Sequence, residues 1–194
     1  GKVLYLGVSD TPAWVVSAAN YYATSYGKTP FSIYQGKWNV LNRDFERDII
    51  PMARHFGMAL APWDVMGGGR FQSKKAMEER RKNGEGIRSF VGASEQTDAE
   101  IKISEALAKI AEEHGTESVT AIAIAYVRSK AKNFFPSVEG GKIEDLKENI
   151  KALSIDLTPD NIKYLESIVP FDIGFPNNFI VLNSLTQKYG TNNV

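Results

Sequence analysis

The stretch Met58–Phe71, MALAPWDVMGGGRF, decides the fold. Its first five residues, Met58–Pro62, are apolar and lead directly into Trp63 and Asp64; the glycines Gly67, Gly68 and Gly69 and then Arg70 follow. A short apolar run closed by glycine suits a strand covered on both faces, as in a parallel sheet flanked by helices. Three glycines in a row let the backbone reach φ > 0 and pass close to a bound molecule. In sheets of this kind ligands collect at the carboxyl ends of the strands. Trp63 and the loop behind it are therefore predicted to form one wall of a ligand site.

Working back from this stretch, Phe45, Ile49, Met52 and Phe56 recur at helical spacing and predict a helix over Phe45–Phe56. Arg54 and His55 occupy its last turn, where cations favour the dipole, and Gly57 closes it. Phe31–Tyr34 reads as a strand ending in Gln35-Gly36, and Val3–Val8 as one ending in Ser9-Asp10-Thr11-Pro12. Thr11 suits an N-cap and Pro12 the first helical position of a helix running to about Tyr22, with Trp14, Ala18 and Tyr21 facing inward. The strand starts at 3, 31 and 58 lie 28 and 27 residues apart, the length of a strand plus a crossover helix.

Working forward, Lys74–Asn83 is a charged helix or loop, and Gly84–Ser94 is a glycine- and serine-rich stretch expected to be mobile. Thr97 with Glu100 forms a capping box that opens a helix to His114, ended by Gly115, with Ile103, Leu107, Ile110 and Ala111 inside. Val119–Ser129 is apolar enough to be a buried helix. Asn133–Pro136 is the fourth strand; Glu139-Gly140-Gly141 then turns into a helix over Ile143–Leu153. A last helix starts at Thr158-Pro159 and carries Ile162, Leu165 and Ile168, and residues 170–194 form an irregular tail. The fold class is α/β, with about four β/α units plus extra helices in one unit over 1–194. Four parallel strands are half of a (β/α)8 TIM barrel and leave two bare edges.

Composition narrows the function. With 23 basic and 23 acidic residues the formal net charge is zero, which gives no electrostatic case for nucleic acid or an anionic membrane. Cysteine is absent and histidine occurs twice, so disulfides, thiolate sites and metal catalysis are not expected. No apolar run reaches the ~20 residues of a membrane span, and no charged-then-apolar leader is present, so the expected setting is cytoplasmic.

Four segments, in order, carry a family resemblance. GKVLYLGVSD at Gly1–Asp10 resembles the fifth-strand motif of the aldo-keto reductases, and Tyr34-Gln35 their sixth-strand glutamine. APWDVMGGG at Ala61–Gly69 resembles the seventh-strand aromatic and its loop, and PSVEGGKIEDLKEN at Pro136–Asn149 the eighth strand and following helix. SDTPAW (Ser9–Trp14) and QGKWNVLNRDFERDIIPM (Gln35–Met52) are similar to the fungal aryl-alcohol dehydrogenase branch. The resemblance implies NADP(H)-linked interconversion of aromatic aldehydes and aryl alcohols.

It also implies roles. Ser9, Asp10 and Gln35 fall where the nicotinamide carboxamide is held; an amide needs a donor and an acceptor, and an ionised Asp10 only accepts. Trp63 falls where an aromatic stacks on the nicotinamide. Asp64, Met66 and Gly67–Gly69 fall along the pyrophosphate, where an acid is repulsive unless it caps a helix or pairs with Arg70 or Lys74. Gly140, Lys142, Glu148 and Asn149 fall at the 2′-phosphate and adenine end, near a helix N-terminus. Glu139 and Gly141 depart from the pattern and remove a cation, which weakens NADP(H) binding by about 1–3 kcal/mol and leaves NAD(H) open.

The family's Tyr, Lys, Asp and His would lie upstream of Gly1, and no substitute is legible: His55 and His114 sit at helix ends, and Tyr34 has no Lys/Asp/His group around it in sequence. Two readings follow: the cofactor-binding half of an oxidoreductase, or a truncated paralogue or regulatory remnant without chemistry. The expected partners are a small aromatic aldehyde or alcohol, and an N-terminal half-barrel or a second copy meeting the open edges.

Overall fold

The computed structural model describes residues 1–84, 95–138 and 142–180. Three parallel strands, β1 (Gly7–Ser9), β2 (Ile33–Lys37) and β3 (Ala59–Trp63), lie in that order. Around them run the helices α1 (Ala13–Ser25), α2 (Ile49–Phe56), α3 (Lys74–Lys82), α4 (Asp98–Glu113), α5 (Val119–Lys130), α6 (Ile143–Lys151) and α7 (Pro159–Ile168). The expected fourth strand is present as a parallel bridge of Phe134 to Leu60. It is extended by hydrogen bonds from Leu60 N–H to Asn133 O, Phe135 N–H to Leu60 O and Ser137 N–H to Pro62 O at 3.0, 2.8 and 2.9 Å. Four parallel segments, each followed by helix, make a partial (β/α)8 barrel. Among the described residues no helix is long and apolar enough to cross a membrane.

The strands start later than their apolar runs suggest, for three local reasons. Phe31 is withdrawn from the ladder because the buried side chain of Asn20 on α1 accepts from its N–H (2.8 Å) and donates to its carbonyl (3.3 Å). Met58 N–H donates to Ala53 O at 2.8 Å and so completes the end of α2, where Gly57 sits at φ 64°. Val3, Leu4 and Tyr5 lie before the ladder, which begins where Leu6 O accepts from Ser32 N–H at 2.9 Å; all three are exposed.

The β3 stretch was expected to be covered on both faces, and here one is. Val8, Tyr34, Gly36, Leu60 and Pro62 face the helices, whereas Ser9, Ile33, Gln35, Lys37, Ala59, Ala61 and Trp63 line the other, more open face. On the covered side Trp38 and Phe45 stack with centroids 5.5 Å apart, and Tyr34 meets Phe45 edge-on. Gly36 is required there, because a Cβ would fall 2.7 Å from the Phe45 ring. The main core lies between α4 and α5, where Ile103, Leu107, Ile110 and Ala121–Val127 are almost fully buried.

Capping behaves as the sequence predicts at α4, where the Thr97–Glu100 box forms, and at α7, where Thr158 accepts from Asn161 N–H. It fails at α1, because Thr11 Oγ1 donates to Ser9 O (2.8 Å) instead of capping. The inward stripe of α1 is also Ala13, Val16, Asn20 and Ala23, while Trp14, Ala18 and Tyr21 are exposed. The helix expected over Phe45–Phe56 divides into a 3-10 turn, Asp44–Glu46, and α2. The helix expected over Ile143–Leu153 ends as α6 and a 3-10 turn, Ala152–Ser154. Gly84–Ser94 beyond Gly84, the turn at Glu139–Gly141 and the tail past residue 180 lie outside the described residues. The described part of the tail puts Phe171 under the guanidinium groups of Arg43 and Arg47, at 4.9 and 4.6 Å.

A group of charges, invisible as a motif, joins the 3-10 turn to α5 and α7. Arg43 pairs with Glu46 (2.7 Å) and Glu166 (3.3 Å), Lys130 pairs with Glu166 (2.6 Å) and Glu46 (3.4 Å), and Tyr126 O–H donates to Glu166 at 3.0 Å. Burial pushes the Tyr126 phenol far above its ordinary range, so it stays a neutral donor. Burial alone would raise the Glu46 carboxyl, but Arg43 and Lys130 outweigh it and hold it below the ordinary 4.5. A depressed carboxyl stabilises the fold fully above its unfolded value and loses that contribution as pH falls through the folded one. Urea titrations from pH 7 to pH 3 should therefore show wild-type stability falling below about pH 4.5, with a flatter profile and lower pH 7 stability for Glu46→Gln. Arg43→Ala, which strands two acids, should cost about 3 kcal/mol at pH 7.

Candidate functional site

At the carboxyl ends of the strands five side chains from four segments meet. Ser9 Oγ donates to Asp10 Oδ2 at 2.7 Å and lies 3.4 Å from Gln35 Oε1. Trp63 Nε1–H donates to Asp10 Oδ1 at 3.1 Å, and Gln35 Nε2 donates to Ser137 Oγ at 3.4 Å. The network Trp63–Asp10–Ser9–Gln35–Ser137 thus runs across β3, β1, β2 and the fourth segment. Register explains the meeting: Ser9 stands opposite Gln35, and Lys37 opposite Trp63.

Neighbouring contacts hold these groups. Asp10 adopts φ 49°, and its N–H donates to Gln35 O at 3.0 Å. The buried Tyr34 hydroxyl donates to Thr11 O at 2.6 Å and accepts from Thr11 N–H at 3.1 Å, fixing the turn after Ser9. Burial of Tyr34 is the largest influence on its phenol and raises its pKa, which keeps this latch neutral. Tyr34 is therefore a structural clamp, not a free acid.

The β3 loop is held differently from the sequence expectation. Asp64 pairs with Lys37 (3.3 Å) and accepts from Asn39 Nδ2 (3.2 Å), partners other than the expected Arg70 or Lys74. Arg70 instead meets Glu100 at 3.5 Å. Asp64 and Gly67–Gly69 all have positive φ, and Asn39 Nδ2 also donates to Asp64 O. Two hydrogen bonds close the glycine turn: Gly67 N–H donates to Asp64 O at 2.9 Å and Gly69 N–H to Met66 O at 3.2 Å. Met66 packs against the core.

Of the residues singled out in the sequence, Ser9, Asp10, Gln35 and Trp63 come together and Asp64 adjoins them. Lys142, Glu148 and Asn149 form a separate group on α6: Lys142 is exposed, Glu148 pairs with Lys151, and Asn149 is 9% exposed. Gly140 lies outside the described residues. Sequence reading missed Lys37, Asn39 and Ser137. Lys37 was accessible from strand alternation, because it shares a face with Gln35. Among the described residues no group of three or more His, Asp or Glu is placed to hold a metal. His55 bonds Tyr21 and His114 bonds Asn161, both on the helices.

Comparison with known proteins agrees with this architecture. The model of the aldo/keto reductase family matches residues 1–170. A probable aryl-alcohol dehydrogenase, AAD4, of Saccharomyces cerevisiae is 86% identical over 180 residues, covering 93% of this chain and 55% of that protein. The aryl-alcohol dehydrogenase [NADP(+)] of Phanerodontia chrysosporium is 52% identical over 178 residues, 91% of this chain and 46% of its own length. The crystal structure of the thermostable aldo-keto reductase Tm1743 with the inhibitor epalrestat superposes with a TM-score of 0.60 at 25% identity, over 85% of this chain and 48% of that one. The chain spans about half the length of these relatives. It belongs to the aldo/keto reductase family.

Proposed function

We propose that this chain is the dinucleotide-holding part of an NADP(H)-dependent oxidoreductase that interconverts aromatic aldehydes and aryl alcohols. The supporting observation is the network of Trp63, Asp10, Ser9, Gln35 and Ser137 at the strand carboxyl ends. Its donor set suits a nicotinamide: the Ser9 hydroxyl and the Gln35 amide offer both donor and acceptor to a carboxamide, and the Trp63 indole offers a stacking plane. When bound, the nicotinamide exchanges a hydride with the substrate carbon.

The chain's own residues position that ring. Asp10 spends its two oxygens on Ser9 and on the Trp63 indole, so its role is to aim Trp63, and the carboxamide falls to Ser9 and Gln35. Lys37 neutralises Asp64, which takes a carboxylate out of the path of the phosphates. Lys142 is the cation we assign to a 2′-phosphate, and one cation yields a preference for NADP(H) over NAD(H) of about tenfold.

A second reading, a nucleotide-binding remnant without chemistry, is favoured by the placement of the described Tyr–Lys–acid group. Tyr126, Lys130, Glu46 and Glu166 stand on α5, α7 and the 3-10 turn, away from the strand ends.

Titration of the purified 194-residue protein with NADPH should quench tryptophan emission saturably, and Trp63→Leu should abolish the saturable part. A response unchanged by Trp63→Leu would contradict the assignment. Tyr34→Phe strands both backbone groups of Thr11, and should lower stability by about 1–3 kcal/mol in urea and weaken the NADPH response. Incubation with an aryl aldehyde and NADPH should give no turnover on this chain alone; saturable NADPH oxidation would rule out the second reading.

A further inference from the structure

α1, AWVVSAANYYATS, contains no charged residue. One stripe of it is buried, yet Trp14 is 74% exposed, Tyr22 55% and Tyr26, just past its end, 67%. Apolar residues all round a helix mark one that is covered on more than one side. At the other end of the sheet, Ile143, Leu146, Ile150 and Leu153 recur at helical spacing on α6 and the turn after it, and every one is more than half exposed. Each helix adjoins a sheet edge that no described strand pairs. Beside α1 is the outer edge of β1, preceded by exposed Val3, Leu4 and Tyr5; before α6 comes segment 133–137, with exposed Phe135. Open apolar edges of this kind invite another chain.

We propose that a second copy of this chain covers both faces at once. The α6 stripe and the 133–137 edge of each copy dock on the α1 face and the β1 edge of the other. Strand direction argues for this pairing. A two-fold axis parallel to the strands leaves their direction unchanged, so β1 of one copy continues the parallel sheet beyond 133–137 of its partner. Four parallel segments from each copy then close a ring of eight, the number at which side chains fill a barrel. Pairing β1 with β1 would instead be antiparallel and would leave the α6 stripe uncovered. Charge does not oppose the contact: the net charge is zero, and α1 brings no charge to desolvate. The interface depends on the fold and is independent of the dinucleotide reading.

Light scattering after gel filtration tests it on the 194-residue protein. The wild type should have the mass of two chains; a monomer, or an open ladder of oligomers, would overturn the proposal. Ile150→Lys and Tyr22→Glu, each checked for native circular dichroism, should each raise the dimer dissociation constant about a hundredfold or more. Mixed one to one, the two variants should recover a dimer, because one seam is then native and the other pairs Lys with Glu. Dimers insensitive to the single changes, or a mixture that stays monomeric, would overturn the α1–α6 pairing. If either variant lost its native spectrum, Ile143→Lys and Tyr26→Glu would take their places in the same mixing test.

Discussion

The parallel register of β1, β2 and β3 is the constraint on which the rest depends. Side chains alternate along a strand, so a slip of one residue would turn Gln35 and Trp63 into the helix layer and bring Tyr34 and Leu60 out of it. Burial opposes that slip strongly, because Tyr34 and Leu60 are 3% exposed and fill the space beneath the sheet. The polar network at the strand ends therefore inherits its geometry from apolar packing on the opposite face. The Tyr34 hydroxyl links the two faces, since it lies in the core and bonds both backbone groups of Thr11 at the site.

Charge is managed in the same economical way. Asp10 and Asp64 are two acids beside a presumed anion site, and both are occupied by neighbours: Asp10 by Ser9 and Trp63, Asp64 by Lys37 and Asn39. Both also sit at positive φ, where a short polar side chain that bonds locally offsets part of the strain. An acid in these positions acts as a brace for the loop more than as a contact for the ligand.

Much of the fold was legible because it is written locally. Thr97-to-Glu100, Thr158-Pro159 and Gly57 each state a helix end within a few residues, and Ala121–Val127 can only be a buried helix. The site was half legible. Ser9, Gln35 and Trp63 were placed through family resemblance and converge, whereas Ser137 and Asn39 depend on contacts between distant segments. The same limit hid the ion group, whose members at 43, 46, 126, 130 and 166 share no spacing. The misread face of α1 has a different cause. Its sequence offers more than one apolar stripe, and Asn20, a residue that reads as polar, is buried because both ends of its amide bond Phe31.

The central claim is that Ser9, Gln35 and Trp63 act as one site for a nicotinamide dinucleotide. The most direct measurement is a nitrogen-15 NMR titration of the labelled protein with NADPH. The account predicts that the Trp63 indole, the Gln35 side-chain amide and the Ser9 backbone amide shift together along one binding curve while the amides of Glu46 and Glu166 stay still. Shifts confined to the helices, or separate curves for Trp63 and Gln35, would contradict it.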